Sequence, residues 1–129
     1  MKGHKQVANL MKALAHPIRL QLLEVLMVEG EACVCHLEAR LNQRQAYISQ
    51  HLAKLREVGL VTDHRDGLNV FYATTLEGIG PLIEDAKRLV VDLARVEGFE
   101  LKFNNIRDLS PDLCHCPKCE RKVAMASVD

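Results

Sequence analysis

The sequence predicts a mainly α fold with one small β-hairpin, and three features predict it. Apolar residues recur at helical spacing through roughly the first half of the chain. The pattern then switches to two strand-like runs around "DGL" at 66–68, and a long helical stripe follows. At 129 residues, 48% hydrophobic and 26% charged, the chain has the length and balance of one folded domain with a sizeable core. Aromatic residues make up only 4% and Trp is absent, so Leu, Val, Ala and Ile must build that core.

Leu10, Leu14, Ile18 and Leu22 recur every four residues along one helical side. Pro17 interrupts the run. Because proline suits the first helical position, the spacing predicts one helix to about residue 15 and a second from 17 to about 28, stopped by Gly30. Val34, Leu37 and Leu41 mark a short third helix over 33–41. "LNQRQ" turns the chain, and Ile48, Leu52 and Leu55 form the inward face of a fourth helix that Gly59 stops. "LVTDHR" and "NVFYATT" read as paired strands around the "DGL" turn. A long helix follows over 76–97, entered through a Gly-Pro step. It carries Leu82, Leu89, Val90 and Leu93, an extended apolar stripe that points to a partner surface and hence a homodimer. The chain is expected to divide into a folded body at 1–97 and an extension at 98–129. The extension opens on a short helix or irregular connection and ends in a cysteine-rich tail.

Two helices joined by a short polar turn and followed by a hairpin make a winged helix–turn–helix, so double-stranded operator DNA is the expected partner. Zero net charge excludes a molecule that attracts nucleic acid as a whole; a local basic surface must do so. Across 42–65, Arg44, Lys54, Arg56 and Arg65 outnumber Glu57 and Asp63. With the core positions facing inward, Arg44, Gln45, Ser49, Gln50 and Lys54 are left for phosphates and base edges. On the hairpin, Arg65 is the expected DNA contact, ahead of His64 and Asn69. The bland alternative is a solvated amphipathic helix. No apolar run approaches the roughly 20 residues that cross a bilayer. The N-terminus lacks the apolar stretch of a signal peptide, so a cytoplasmic protein is expected, with no membrane partner.

"LAHPIRLQLLEVL", "LNQRQAYISQHLAKLREVGLV" and "DHRDGLNVFYATT" resemble, in order and spacing, the matching segments of the ArsR–SmtB family of bacterial metal-responsive repressors. The resemblance spans roughly residues 8–97. It places "ACVCHL", residues 32–37, where the arsenic- and cadmium-type members carry a Cys-Val-Cys metal motif. Zinc- and nickel-sensing relatives use His and carboxylates on the last long helix. Residues 76–97 contain no His, so Glu84, Asp85 and Asp92 read as a solvated face.

In a reducing compartment five cysteines are better read as thiols than as a disulfide framework. On a regular helix Cys33 and Cys35 would lie about 100° to either side of Val34, at the margins of the core. Their sulfurs would then diverge by about 200°, so sharing one ion requires an irregular first turn. That distortion would be a mechanical link, since the third helix supports the fourth; the resemblance implies such coupling in relatives.

One position departs from the arsenic pattern. Where some relatives carry a third cysteine, this chain has Glu38. "CHCPKC" in the tail offers Cys114, Cys116 and Cys119 to complete a site with Cys33 and Cys35. Thiolates select soft ions: As(III), Sb(III) and Pb(II) suit three sulfurs, while Cd(II) and Zn(II) usually take four ligands. No organic cofactor is expected. His36 is expected to face solvent or cap a helix rather than bind metal, His16 to be structural, and His51 to face DNA or solvent. A tail site using His115 would strain adjacent residues.

The expected function is therefore a homodimeric repressor, not an enzyme, that leaves its operator when a thiophilic ion binds. A thiol redox or persulfide switch on the same fold is the first alternative. A thiol oxidoreductase or metal-sequestering protein is the second, weakened because Cys116-Pro-Lys-Cys119 lies in a polar tail rather than on a βαβ unit.

Overall fold

The computed structural model describes residues 2–103; the tail cysteines and most of the C-terminal extension lie outside them. Five helices and a three-stranded antiparallel sheet follow in the order α1 (Lys2–Leu14), α2 (Pro17–Glu29), β1 (Ala32–Cys33), α3 (Val34–Leu41), α4 (Gln45–Glu57), β2 (Val61–Asp66), β3 (Asn69–Thr74) and α5 (Ile79–Glu97). The helices fall where the apolar spacing places them except at some of their ends, and α5 begins at Ile79 rather than near residue 76. Pro17 opens α2 from an extended His16, and Gly30 closes it by donating its N–H to the Leu26 carbonyl.

One apolar core joins the helices. Leu22, Leu23, Leu26, Leu37, Ile48, Leu52 and Leu55 are fully buried in it, and Ile79 and Ile83 bring in the start of α5. Each such side chain stabilises the fold by about 1.5–3 kcal/mol relative to exposure. α4 ends in a left-handed closing pair: the Gly59 N–H bonds to Arg56 and the Leu60 N–H to Leu55. The φ of 84° at Gly59 is what makes that closure inexpensive there. It returns the chain into β2 with Leu60 and Val61 buried.

The hairpin pairs β2 with β3 from Val61↔Thr74 to Asp66↔Asn69, leaving Gly67 and Leu68 as the two-residue turn. Gly67 has φ 63° and Leu68 does not share its positive φ, which is the type II′ arrangement that suits twisted strands. β1 adds to the other edge of β3, in the order β1-β3-β2. The sequence predicts residue 33 as the first of a helix; instead Cys33 is strand, and α3 begins one residue later. Two residues are too few to show a period, and the pairing of Ala32 with Tyr72 and Cys33 with Phe71 is decided by the free edge of β3.

On α5 the predicted stripe divides. Leu82 packs partly against the core, whereas Leu89, Val90 and Leu93 stay exposed. No helix among the described residues is long and apolar enough to cross a membrane.

Candidate nucleic-acid interface and thiol pair

α4 presents the polar face its spacing predicts. Gln45, Gln50 and Lys54 are exposed, Ser49 is half-buried, and Arg44 is exposed at the helix entrance. Arg65 stands exposed on β2. The basic surface is thinner than residue counting implies, because Arg56 reaches Asp63 at 3.1 Å. Lys54 stands 3.7 Å from Glu57, a well-solvated pair worth little on its own.

His51 corrects an expectation. It faces neither DNA nor solvent but is buried, and its Nδ1 accepts a 3.0 Å hydrogen bond from Arg19 Nε on α2. Arg19 also donates to the Ala13 carbonyl, so one guanidinium ties α4 to the end of α1. Tyr47 meets the His51 ring edge-on at 4.6 Å, and His16 stands 5.6 Å away. Burial, the Arg19 charge and the neighbouring His16 all hold the His51 pKa below its ordinary value. The signal was present in the sequence: residue 51 lies three positions after Ile48 and directly before Leu52, on the inward stripe.

The thiol pair sits at the β1–α3 junction. Cys33 has extended geometry (φ −82°, ψ 164°) and caps α3, while Cys35 lies in the first helical turn. This break from helix removes the angular divergence expected of the two side chains, and the sulfurs stand 2.7 Å apart. The expected placement at the core margin is corrected for Cys33, which is only 3% exposed, whereas Cys35 is half-buried, as a margin position would be. Cys33 and Phe71 form a small apolar cluster of their own, against which Cys35 packs.

Two adjacent thiols can anchor a soft ion once the sulfurs part to the roughly 3.7 Å that two metal–sulfur bonds of about 2.3 Å at a tetrahedral angle require, but they are not a full coordination set. Among the described residues no group of three or more His, Cys, Asp and Glu side chains gathers to hold a metal. Cys114, Cys116 and Cys119 lie outside the described residues. His36 is half-buried rather than turned out to solvent, which corrects that part of the expectation. Its Nε2 approaches Glu29 Oε1 at 3.3 Å, and Arg40 pairs with the same carboxylate at 2.5 Å. Burial pushes the Glu29 pKa up, but hydrogen bonds and charge from Arg40 and His36 bring it below the ordinary value. This cluster fastens α3 to the end of α2 and so holds the helix that carries Cys35.

On α5, Glu84 pairs with Lys87, Asp85 with Arg88 and Asp92 with Arg95. Lys87 also bonds Glu24 on α2 at 2.5 Å. These carboxylates are engaged by cations of their own surface, in keeping with a solvated face.

Residues 16–63, from the cap of α2 to the start of the wing, match the family described as bacterial regulatory protein, arsR family. A biofilm growth-associated repressor of Agrobacterium fabrum is 43% identical over 83 residues, covering 64% of this chain and 70% of that protein. The arsenical resistance operon repressor of Escherichia coli is 48% identical over 64 residues, half of this chain and 55% of the relative. Among solved structures, reduced HlyU from Vibrio cholerae superposes with a TM-score of 0.61 at 38% identity, over 68% of this chain and 92% of that one. These relatives are regulators of transcription rather than enzymes. With the helix–turn–helix, the wing and these matches in agreement, the chain belongs to the arsR family of bacterial regulatory proteins, DNA-binding regulators of winged helix–turn–helix fold.

Proposed function

We propose that this protein is a homodimeric repressor that leaves its operator when a thiophilic metal or metalloid binds Cys33 and Cys35 together with one or more of the tail cysteines. The observation that carries the reading is the pair of sulfurs 2.7 Å apart, at the junction between the wing sheet and the helix–turn–helix. Operator contact is assigned to Arg44, Gln45, Ser49, Gln50 and Lys54 on and before α4, and to Arg65 on the wing. The dimer is assigned to the exposed apolar face of α5 and to Val7 and Met11 on α1. Release of thiol protons on binding makes the response weaker at low pH. Among relatives, the arsenical resistance operon repressor supports a metalloid inducer for this chain.

The deciding experiment titrates the reduced full-length protein with As(III), Cd(II), Pb(II) and Zn(II). Operator DNA, selected by the protein from a random pool, is followed by fluorescence anisotropy. At least one ion is expected to release the DNA and, for Cd(II), to give sulfur-to-metal charge-transfer absorbance. Truncation after Leu113 should keep operator binding and lower the Cd(II) affinity. Equal affinity and equal absorbance per ion would remove the tail from the site.

A second reading rests on the same contact. Two thiols this close can lose two protons and two electrons to an oxidant and join as a disulfide, and the solved relative described as reduced HlyU makes a redox switch the natural rival. Loss of two titratable thiols together with operator release, in protein free of metal, would favour it.

A further inference from the structure

The packing around Cys33 leads to the wing. α4 is held by the main apolar core, through Leu37, Ile48 and Leu52. Cys33 belongs to a separate cluster, whose other buried member is Phe71. The sheet register explains why. Phe71 on β3 is directly opposite Cys33 on one side and His64 of β2 on the other, so the three side chains form one row across the sheet. The His64 ring stacks on Phe71 at 5.6 Å with 27° between planes. His64 Nε2 also stands 3.5 Å from Glu31, which precedes β1. Arg65 is the next residue along β2.

We propose that Phe71 is the positioning residue through which occupancy of the thiol pair re-aims the wing. The inference rests on Cys33 and Cys35 being the sensing site. Cys33 is nearly sealed from solvent, so an occupant bridging both sulfurs needs room that its packing neighbours must yield. Close-packed interiors transmit such a change rather than absorb it. The Phe71 ring is the neighbour that also touches the wing, and its displacement moves His64 and the strand that carries Arg65. The recognition helix, packed in the other cluster, keeps its seat.

The test uses reduced full-length protein, Cd(II) and operator DNA, with Phe71→Leu beside wild type. Wild type is expected to show charge-transfer absorbance and to lose operator affinity within the range of about 5–150-fold usual for coupled sites. Phe71→Leu should show the same absorbance per ion and bind the operator within about threefold of wild type when metal-free, yet lose no more than about threefold on adding Cd(II). In wild type, Cd(II) should also shift the His64 imidazole proton resonances, which lie over the Phe71 ring. This measurement decides alone if the variant fails to fold. Release by Phe71→Leu equal to wild type, or unmoved His64 resonances in protein that does release DNA, overturns the role of Phe71 and leaves the thiol site standing. Absence of the absorbance band in wild type, or an absorbance per ion that is undiminished in Cys33→Ser and Cys35→Ser, overturns the sensing site and this inference with it.

Discussion

Cys33 and Cys35 are one residue apart in sequence and differ in what they cost to change. Cys33 is sealed between β3 and α3, and a hydroxyl in its place would exchange water for the Phe71 ring and the weakly accepting Cys35 sulfur. Cys33→Ser is expected to lower unfolding stability by about 1–3 kcal/mol, and Cys35→Ser by less, because the Cys35 side chain is partly solvated. Urea unfolding of the two reduced variants checks the order; equal losses would contradict the burial difference. His51 gives a prediction in pH. Its folded-state pKa is depressed, so the unfolded chain takes up the proton first as pH falls. Its contribution to stability is therefore complete above about pH 6.5 and declines progressively below that value, until the folded form protonates too. His51→Gln keeps an acceptor for Arg19 without a titrating ring. Melting temperatures between pH 5 and pH 7 should fall less steeply in this variant, and an unchanged slope would exonerate His51.

At the scale of the element, α4 has one buried face and one exposed face. The inner face is fully buried, and Leu52→Ala should cost about 2–5 kcal/mol as a cavity opens between α2, α3 and α4. On the outer face, Gln50 and Lys54 are expected to differ in kind. Lys54→Ala should weaken binding to all sequences alike and reduce the slope of log affinity against log salt by about 0.9 for each phosphate it no longer neutralises. Gln50→Ala should leave the slope unchanged and relax base preference by about 1–3 kcal/mol at one position in each half-site. Binding isotherms over a range of salt, on the selected operator and on point-substituted copies, separate the two. Wild-type behaviour by both variants would show that α4 does not enter the groove.

The whole molecule exposes a run of large apolar side chains along α5, with Leu89 and Leu93 each 64% exposed, and Val7 and Met11 exposed on α1. A two-fold partner would cover them and set two recognition helices at a fixed spacing, as paired half-sites require. Leu93→Glu places a charge in that interface. The variant should sediment as a monomer and lose most of its operator affinity while keeping its helical circular dichroism. A dimer of unchanged stability would move the subunit interface elsewhere.

The helices and the hairpin were legible in the sequence because their signals are local. Ile48, Leu52 and Leu55 repeat at the helical period, and Gly67 supplies the positive φ that a two-residue turn demands. The polar face of α4 follows from the same spacing, since burying one stripe leaves the opposite one out. His51 was legible too, but a polar residue on an inward stripe reveals its burial only when its partner is known, and Arg19 comes from another helix. β1 was not legible. A two-residue strand has no period of its own, and its pairing depends on Phe71 and Tyr72 arriving from a distant part of the chain. That non-local pairing breaks the helix before Val34, buries Cys33 and brings two sulfurs together that helical spacing would hold apart. Local pattern is enough to say which residues form helices and which thiols are available. That two of those thiols meet is a property of the folded chain, because side-chain direction at Cys33 is set by a strand edge whose partner lies far away along the sequence.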